Sequence, residues 1–132
     1  VRYYNDSIAT SPTRTIAGLR AFPHKVVLIA GGYDKHIPFA PLAPEVVEHV
    51  KTLILCGATA AKIRAAVESA PDYYAGTPDI LEAHTLSEAV HLAKSAAHPG
   101  DIVTLSPACA AFDQFKNFAV RGNTYKQLVN AL

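Results

Sequence analysis

Polar side chains follow three short apolar runs of this 132-residue sequence, and their chemical types suit the binding of a small anion. Asp6 and Thr10 come after the first run, and Lys35 follows the second. Ser106 ends the third. A lysine ammonium, hydroxyl groups and the amides of helix N-termini are donors that hold carboxylates or phosphates. The sequence therefore predicts an anion-binding site, although each of these residues also suits helix capping or a solvated loop.

The second apolar run is the element that positions Lys35. Residues 26–30 read Val-Val-Leu-Ile-Ala, and three of the five are β-branched, which is typical of a strand buried on both faces of a parallel sheet. Gly31 and Gly32 end this strand. Because ligands of open α/β sheets bind outside the carboxyl ends of the strands, we expect Lys35 to stand where a ligand binds.

Strands and helices alternate along the chain, which indicates an α/β fold. Ser11 before Pro12 predicts one helix start, and Thr85 with Glu88 three residues on forms a capping box that predicts another. Strands are expected at 1–4, 26–30, 52–57, 80–84 and 101–106, and helices from 12 to the break at 23 and at 45–49, 60–70, 85–97, 112–118 and 123–132. We predict one domain, residues 1–132, with a doubly wound, Rossmann-like and mostly parallel sheet of about five or six strands and helices on both faces.

Composition and charge limit the classes of function. Half of the residues are apolar, 17% are charged and the net charge is +1, so the chain can bury a core and has no electrostatic signature of nucleic-acid or membrane-surface binding. No apolar run reaches the length of a spanning helix, and we expect a cytoplasmic protein. Cys56 and Cys109 are expected to be buried thiols rather than a disulfide or a zinc site. A start at Val1, in a chain without methionine, indicates a fragment of a longer protein.

Several nucleotide-binding and catalytic motifs are missing from the sequence. It contains neither G-x-x-x-x-G-K-[ST] for a triphosphate nor G-x-G-x-x-G for a dinucleotide. Glu45 and His49 form a helical i,i+4 pair, which is far more often a solvated contact than a metal site. Neither Ser106 nor Cys109 lies in a nucleophile motif. We therefore expect no catalytic residue and no metal ligand in this chain alone.

Three blocks of the sequence carry a resemblance to a known family. They read Asn-Asp-Ser-Ile-Ala-Thr-Ser-Pro at 5–12, Gly-Gly-Tyr-Asp-Lys at 31–35, and Leu-Ser-Pro-Ala-Cys-Ala-Ala-Phe-Asp-Gln-Phe at 105–115 followed by Phe-Ala-Val-Arg-Gly at 118–122. In this order they resemble the C-terminal domain of the MurD-type Mur ligases of peptidoglycan synthesis. The blocks span nearly the whole chain, and the last one separates this type from ligases that add other amino acids.

The resemblance implies one part of an ATP-dependent, ADP-forming amide ligase built of three domains. In such an enzyme the carboxylate of UDP-N-acetylmuramoyl-L-alanine is phosphorylated to an acyl phosphate, the amine of D-glutamate attacks it, and phosphate leaves, with Mg²⁺ balancing the charge. The phosphate-binding loop and the metal ligands would belong to the central domain, and the UDP-sugar pocket to the first domain. We therefore expect the isolated chain to be inactive, and the whole enzyme to work in the bacterial cytoplasm.

The site residues of the family carry over onto matching positions of this sequence. By this resemblance Asp6 contacts the ATP ribose across the interdomain cleft. Thr10 and Lys35 hold one carboxylate of D-glutamate, and Phe118, through its backbone, helps to hold the other. A lysine with a hydroxyl is what the orientation of a dicarboxylate for in-line attack needs, since positioning is most of the catalysis open to this domain.

The sequence departs from the family pattern at three positions. Ala111 stands where the family commonly has a serine that binds the second carboxylate, and backbone amides near Phe112 are expected to replace the lost hydroxyl. Ile8 stands where lysine is common, and His36 where glycine is usual. Only the change at Ala111 bears on the ligand. The Arg-Gly pair at 121–122 matches the family and is expected to complete the surrounding fold without touching substrate.

Two other interpretations stay open. One is the equivalent domain of a sibling Mur ligase or folylpolyglutamate-type ligase that adds a different amino acid, and the Ser-Pro-Ala-Cys-Ala block at 106–110 argues against it. The other is a free-standing α/β module that binds small anionic ligands without catalysis. A phosphate-binding G-K-[ST] loop upstream in the full-length gene would exclude that second interpretation.

Overall fold

The computed structural model describes residues 1–111 and 114–132, and in this part of the chain five strands form one parallel sheet that helices cover. In chain order the elements are β1 (Arg2–Asn5), α1 (Pro12–Arg20), β2 (Val26–Ala30), α2 (Ala43–His49), β3 (Val50–Leu55), α3 (Ala60–Glu68), β4 (Asp79–Glu82), α4 (Leu86–Ala96), β5 (Ile102–Leu105) and α5 (Phe118–Asn130). The strand order is β1-β5-β2-β3-β4, and all neighbouring pairs are parallel. The predicted doubly wound α/β fold is confirmed. No helix among the described residues is long and apolar enough to span a membrane.

The two faces of the sheet carry separate hydrophobic cores, because successive side chains of a strand point to opposite sides. All five residues of β2 are buried. Val26, Leu28 and Ala30 belong to the first core, with side chains from α1, α2 and α3, whereas Val27 and Ile29 belong to the second, with side chains from α4 and α5. Burial on both faces explains why this strand is a continuous apolar run, as the sequence predicted.

Helix capping follows the sequence prediction in one place and departs from it in another. The hydroxyl of Thr85 caps α4 by accepting the Glu88 N–H at 3.1 Å, and the Glu88 carboxylate accepts the N–H of His84 at 3.2 Å. Ser11 occupies the N-cap position of α1, with Pro12 as the first helical residue, but the Ser11 side chain makes no capping hydrogen bond. Proline by itself therefore sets the start of α1, because its fixed φ suits the first helical position.

The C-terminal region forms one helix where the sequence predicted two. Residues 114–117 lie outside any helix, and α5 then runs without a break from Phe118 to Asn130. The side chain of Asn117 caps it by accepting the Val120 N–H at 2.9 Å. Gly122, at which the sequence predicted a break, lies inside the helix. A glycine is needed there because a Cβ would stand 2.9 Å from Asn5 Nδ2. Close packing against the segment after β1 thus overrides a helix propensity cost of about 1 kcal/mol.

Candidate functional site

The candidate site lies at the carboxyl ends of β1, β5 and β2. These strands end at one level, because Leu105 is in register with both Asn5 and Ile29. After β2 the chain continues to α2 on one face of the sheet, and after β5 it continues to α5 on the other. Such a point, where neighbouring strands send their connections to opposite faces, opens the crevice in which α/β proteins bind ligands.

Main-chain hydrogen bonds tie the three loops at this edge together. The N–H of Ala108, in the loop after β5, donates to the carbonyl of Ala9, in the loop after β1, at 3.0 Å. The N–H of Tyr33, in the loop after β2, donates to the carbonyl of Ala110 at 2.9 Å. Residues 6–10, 31–35 and 106–111 therefore form one connected group of loops at this edge of the sheet, as the placement of polar residues after parallel strands predicted.

Three of the residues that the family resemblance assigns to the amino-acid ligand, Thr10, Lys35 and Ala111, belong to this group of loops. Thr10 directly follows Ala9, whose carbonyl is bonded to the loop after β5. Ala111 directly follows Ala110, whose carbonyl is bonded to the loop after β2. Phe118 begins α5, and its carbonyl accepts a hydrogen bond from Ser7 in the loop after β1. The resemblance also assigns Phe112 to the ligand carboxylates, but this residue lies outside the described residues.

Lys35 is an exposed cation at this edge, on a loop that a neighbouring carboxylate organises. Its ammonium makes no hydrogen bond or ion pair with any described residue. Asp34 accepts the N–H of His36 at 2.8 Å and is also paired with the ammonium of Lys62 on α3. The Lys62 hydrogen bond holds the pKa of Asp34 below its ordinary value. Asp34 thus ties this loop to α3, whereas the side chain of Lys35 is exposed.

The departure from the family pattern at His36 falls on a special backbone position. His36 has a φ of 59°, in the left-handed region that glycine enters without steric cost. Histidine is among the residues that adopt this region more often than most. The histidine observed here therefore meets the same backbone requirement as the glycine that the resemblance implies.

Asp6 is half-buried and joins the ends of β1 and β5. Its Oδ2 accepts the hydroxyl of Ser106 at 2.8 Å, and a Cβ at Gly18 of α1 would lie only 3.0 Å from the same oxygen. A pocket of about 340 Å³ opens beside this carboxylate, and the rings of Tyr4 and Phe22 form part of its wall. Asp6 can therefore accept a further hydrogen bond from a ligand at Oδ1, where no described residue donates.

Ser7 and Arg121 are structural residues of the site whose contacts local sequence reasoning did not find. The Ser7 hydroxyl donates to the carbonyl of Phe118 at 2.7 Å. The guanidinium of Arg121 donates from Nε to Ser7 Oγ and from Nη2 to the Ser7 carbonyl, each at 2.9 Å. Arg121 is 4% exposed, which agrees with its expected role in the fold. Both residues stand in the motif blocks, but 114 positions separate them, so no local pattern pairs them.

The turn at Gly31 and Gly32 allows close approach of three backbone segments. Their φ values are 113° and 155°. A Cβ at Gly31 would stand 1.9 Å from the carbonyl oxygen of Cys56, and one at Gly32 would stand 2.6 Å from the carbonyl oxygen of Ala110. Cys56 and Cys109 pack here as buried thiols that are not joined in a disulfide, as predicted. Only glycine fits at these two positions. Because neither residue has a Cβ, the loop of Lys35 can approach the loop after β5 closely enough for Tyr33 to bond to Ala110.

Glu45, Glu48 and His49 form the one group of possible metal ligands found among the described residues. His49 Nε2 lies 3.4 Å from Glu45 Oε2, which is the predicted i,i+4 contact. The guanidinium of Arg20 on α1 is already paired with Glu45. Arg20 therefore already neutralises the Glu45 carboxylate. We infer that this group of side chains stabilises the packing of α1 against α2 and does not bind a metal.

The sequence matches one family of known proteins and individual members of it. Residues 1–109 match the model of the family described as Mur ligase, glutamate ligase domain. The chain is 54% identical over 130 residues to the UDP-N-acetylmuramoylalanine--D-glutamate ligase of Clostridium perfringens, and 56% over 132 and 57% over 133 residues to those of Clostridium beijerinckii and Clostridium novyi. These alignments cover 98% to 100% of this chain but only 28% to 29% of each relative. The chain thus spans less than a third of the length of these curated relatives.

Proposed function

The chain belongs to the Mur ligase family through its glutamate ligase domain, and on that premise we propose that it is the C-terminal part of the ligase that joins D-glutamate to UDP-N-acetylmuramoyl-L-alanine in peptidoglycan synthesis. The observation that carries this proposal is that main-chain hydrogen bonds join the loops after β1, β2 and β5, and that the loop after β2 carries the exposed cation Lys35. Similarity along the whole chain to ligases named for D-glutamate supports this amino acid over the one that a sibling ligase would add. Membership of the family argues against a free-standing binding module.

The site suits the binding of an amino acid with two carboxylates. Thr10 and Lys35 hold one carboxylate through a hydroxyl and an ammonium, which together give charge and direction. The other carboxylate lies toward the N-terminus of α5, where Phe118 offers a main-chain amide of the first helical turn. Ala111 is buried and has no hydroxyl to add. Holding both carboxylates directs the free amine at an acyl phosphate, and this positioning is the contribution of the domain to catalysis.

Asp6 supplies the contribution of this chain to the ATP site. The carboxylate fits a ribose, because Oδ2 is engaged by Ser106 while Oδ1 is open to accept a hydroxyl. We place the phosphate-binding loop and the Mg²⁺ ligands in the remainder of the enzyme, since no triphosphate motif occurs in this sequence. Bound Mg²⁺ would neutralise phosphate charge during phosphoryl transfer. We place the complete enzyme in the bacterial cytoplasm, where its nucleotide substrates are found.

The proposal predicts that activity needs the complete enzyme. We expect the full-length protein to release ADP when ATP, Mg²⁺, UDP-N-acetylmuramoyl-L-alanine and D-glutamate are all present, and residues 1–132 alone to give only the background rate. A coupled assay of ADP release measures both. Turnover by residues 1–132 alone would contradict the assignment as one part of a larger site. A full-length rate that is indifferent to D-glutamate, or higher with another amino acid, would contradict the substrate.

The role of Asp6 toward ATP predicts a selective kinetic defect. In Asp6→Asn the side chain can still accept the Ser106 hydroxyl, so stability should change by less than about 1 kcal/mol. The lost charge weakens a hydrogen bond from ribose, and KM for ATP should rise about tenfold, as expected when a charge-assisted bond worth about 1.5 to 3 kcal/mol becomes neutral. Steady-state kinetics and thermal melting of the full-length enzyme measure the two effects.

Ser106→Ala is the matched control for Asp6. It removes the internal hydrogen bond that Asp6→Asn keeps, and it leaves the carboxylate of Asp6 in place. We expect this variant to lose stability while KM for ATP stays within about twofold, a change below 0.5 kcal/mol. If Asp6→Asn instead melts early and uses ATP normally, the carboxylate serves only to join β1 to β5.

A further inference from the structure

Ser7 and Arg121 form a buried clamp between the loop after β1 and the first turn of α5, and we call it the Ser7–Arg121 clamp. Both residues are 4% exposed. The clamp consists of three hydrogen bonds: from Arg121 Nε to Ser7 Oγ, from Arg121 Nη2 to the Ser7 carbonyl, and from Ser7 Oγ to the carbonyl of Phe118. Their lengths lie between 2.7 and 2.9 Å. The guanidinium fork holds one residue at two points, which fixes orientation as well as distance.

Neighbouring contacts make the clamp rigid. Asn5 donates from Nδ2 to the carbonyl of Gly122 at 3.3 Å, and its Oδ1 accepts the N–H of Ser7 at 3.1 Å. A Cβ at Gly122 would stand 3.2 Å from the Ser7 Cβ. The first turn of α5 therefore rests directly on the loop after β1, and neither segment can shift along the other without breaking these bonds.

We propose that the Ser7–Arg121 clamp sets the spacing between the two carboxylate contacts of the amino-acid substrate, and so selects an acid of the length of D-glutamate. This inference rests on the proposed function. Thr10, on one side, lies three residues beyond Ser7 in the same loop, and Phe118, on the other, is bonded directly to Ser7. Because the two carboxylates of a substrate are separated by a fixed number of methylenes, the distance between their contacts decides which chain length satisfies both. Ser7 and Arg121 are positioning residues, since Ser7 bonds to Phe118 and Arg121 bonds to Ser7, while neither is assigned a contact with the substrate.

The chemistry of the clamp favours a role in geometry over a role in stability alone. Burial of a guanidinium costs desolvation free energy, and apolar residues of similar volume often give equal or greater stability at such positions. A buried, doubly bonded cation instead imposes one arrangement on the segments that it joins. Here those segments carry the contacts for opposite ends of the proposed substrate, so loss of the clamp should change length discrimination in addition to any loss of stability.

The test compares two acids that differ by one methylene, using the full-length ligase. In Ser7→Ala, which removes two of the three hydrogen bonds, we expect KM for D-glutamate to rise about tenfold. The inhibition constant of the shorter D-aspartate, measured against D-glutamate, should change less than about twofold, and KM for ATP should stay within about twofold. Arg121→Lys keeps the charge but loses the forked pair of hydrogen bonds. It should also raise the ratio of KM for D-glutamate to the inhibition constant of D-aspartate.

A variant matched for lost stability separates positioning from general weakening. Val67→Ala removes buried apolar volume from α3 in the core on the face opposite to α5, and it should lower the melting temperature without changing the ratio between the two acids. If Ser7→Ala and Arg121→Lys weaken both acids equally, or leave the ratio of the wild-type enzyme unchanged, the clamp does not set substrate length although the proposed function stands. A wild-type enzyme that adds no D-glutamate overturns both.

Discussion

Replacing Lys35 by alanine in the full-length ligase should raise KM for D-glutamate about a hundredfold or abolish saturation, while KM for ATP stays within about twofold. We propose that the cleft of the full-length enzyme desolvates the pair of Lys35 with the substrate carboxylate. Removing one member of such a pair costs about 2 to 5 kcal/mol, and each 1.4 kcal/mol is a factor of ten. The ammonium of Lys35 is exposed and bonded to no described residue, so the variant should fold as the wild type does. Steady-state kinetics with each substrate varied in turn measure the effect.

Lys62→Ala is the control for charge near the same loop. Lys62 pairs with Asp34, the carboxylate that organises the loop of Lys35, and it belongs to α3 rather than to the proposed ligand surface. Its removal changes the net charge by the same amount, and KM for D-glutamate should rise less than about fivefold, or 1 kcal/mol. Equal effects of the two variants would mean that general positive charge attracts the substrate. An unchanged KM in Lys35→Ala would remove Lys35 from the site.

Replacing Gly31 by alanine should cost at least about 3 kcal/mol of the free energy of unfolding. The new Cβ would stand 1.9 Å from the carbonyl oxygen of Cys56, which is backbone at the end of β3 and cannot turn away as a side chain can. The φ of 113° adds strain of its own for a residue with a Cβ. Relief requires β2 and β3 to separate at their carboxyl ends, where both strands are buried. Urea unfolding of residues 1–132, followed by circular dichroism, measures the loss.

Gly100→Ala isolates the clash from the backbone conformation. Gly100 also has a positive φ, 89°, but a Cβ there would meet no atom within 4 Å. Its replacement should therefore cost only about 1 kcal/mol, the strain of the left-handed region. A loss in Gly31→Ala no larger than that in Gly100→Ala would show that the two strands adjust easily. In that case the glycine turn would not hold the loop of Lys35 in place.

Local patterns predicted most of the secondary structure because their physical causes lie within a few residues. The apolar run at 26–30 predicted a strand buried on both faces, and both cores of the protein contain its side chains. Thr85 and Glu88 predicted the start of α4 through hydrogen bonds that span three or four positions. In contrast, the sequence predicts two helices on either side of Gly122, because nothing near Gly122 in sequence shows that Asn5 lies against it.

The sequence by itself determined the α/β class, the edge of the sheet at which we propose the site, and the motif blocks that mark the family, since each depends on residue types at short spacing. Only the tertiary structure decided that the loops after β1, β2 and β5 are bonded together, that Asp34 holds the loop of Lys35, and that Ser7 and Arg121 meet. Those contacts join residues as far as 114 positions apart, and their partners are set by strand order and helix packing. Strand order is a property of the whole sheet, in which the last strand inserts between the first two, and no local pattern encodes that insertion.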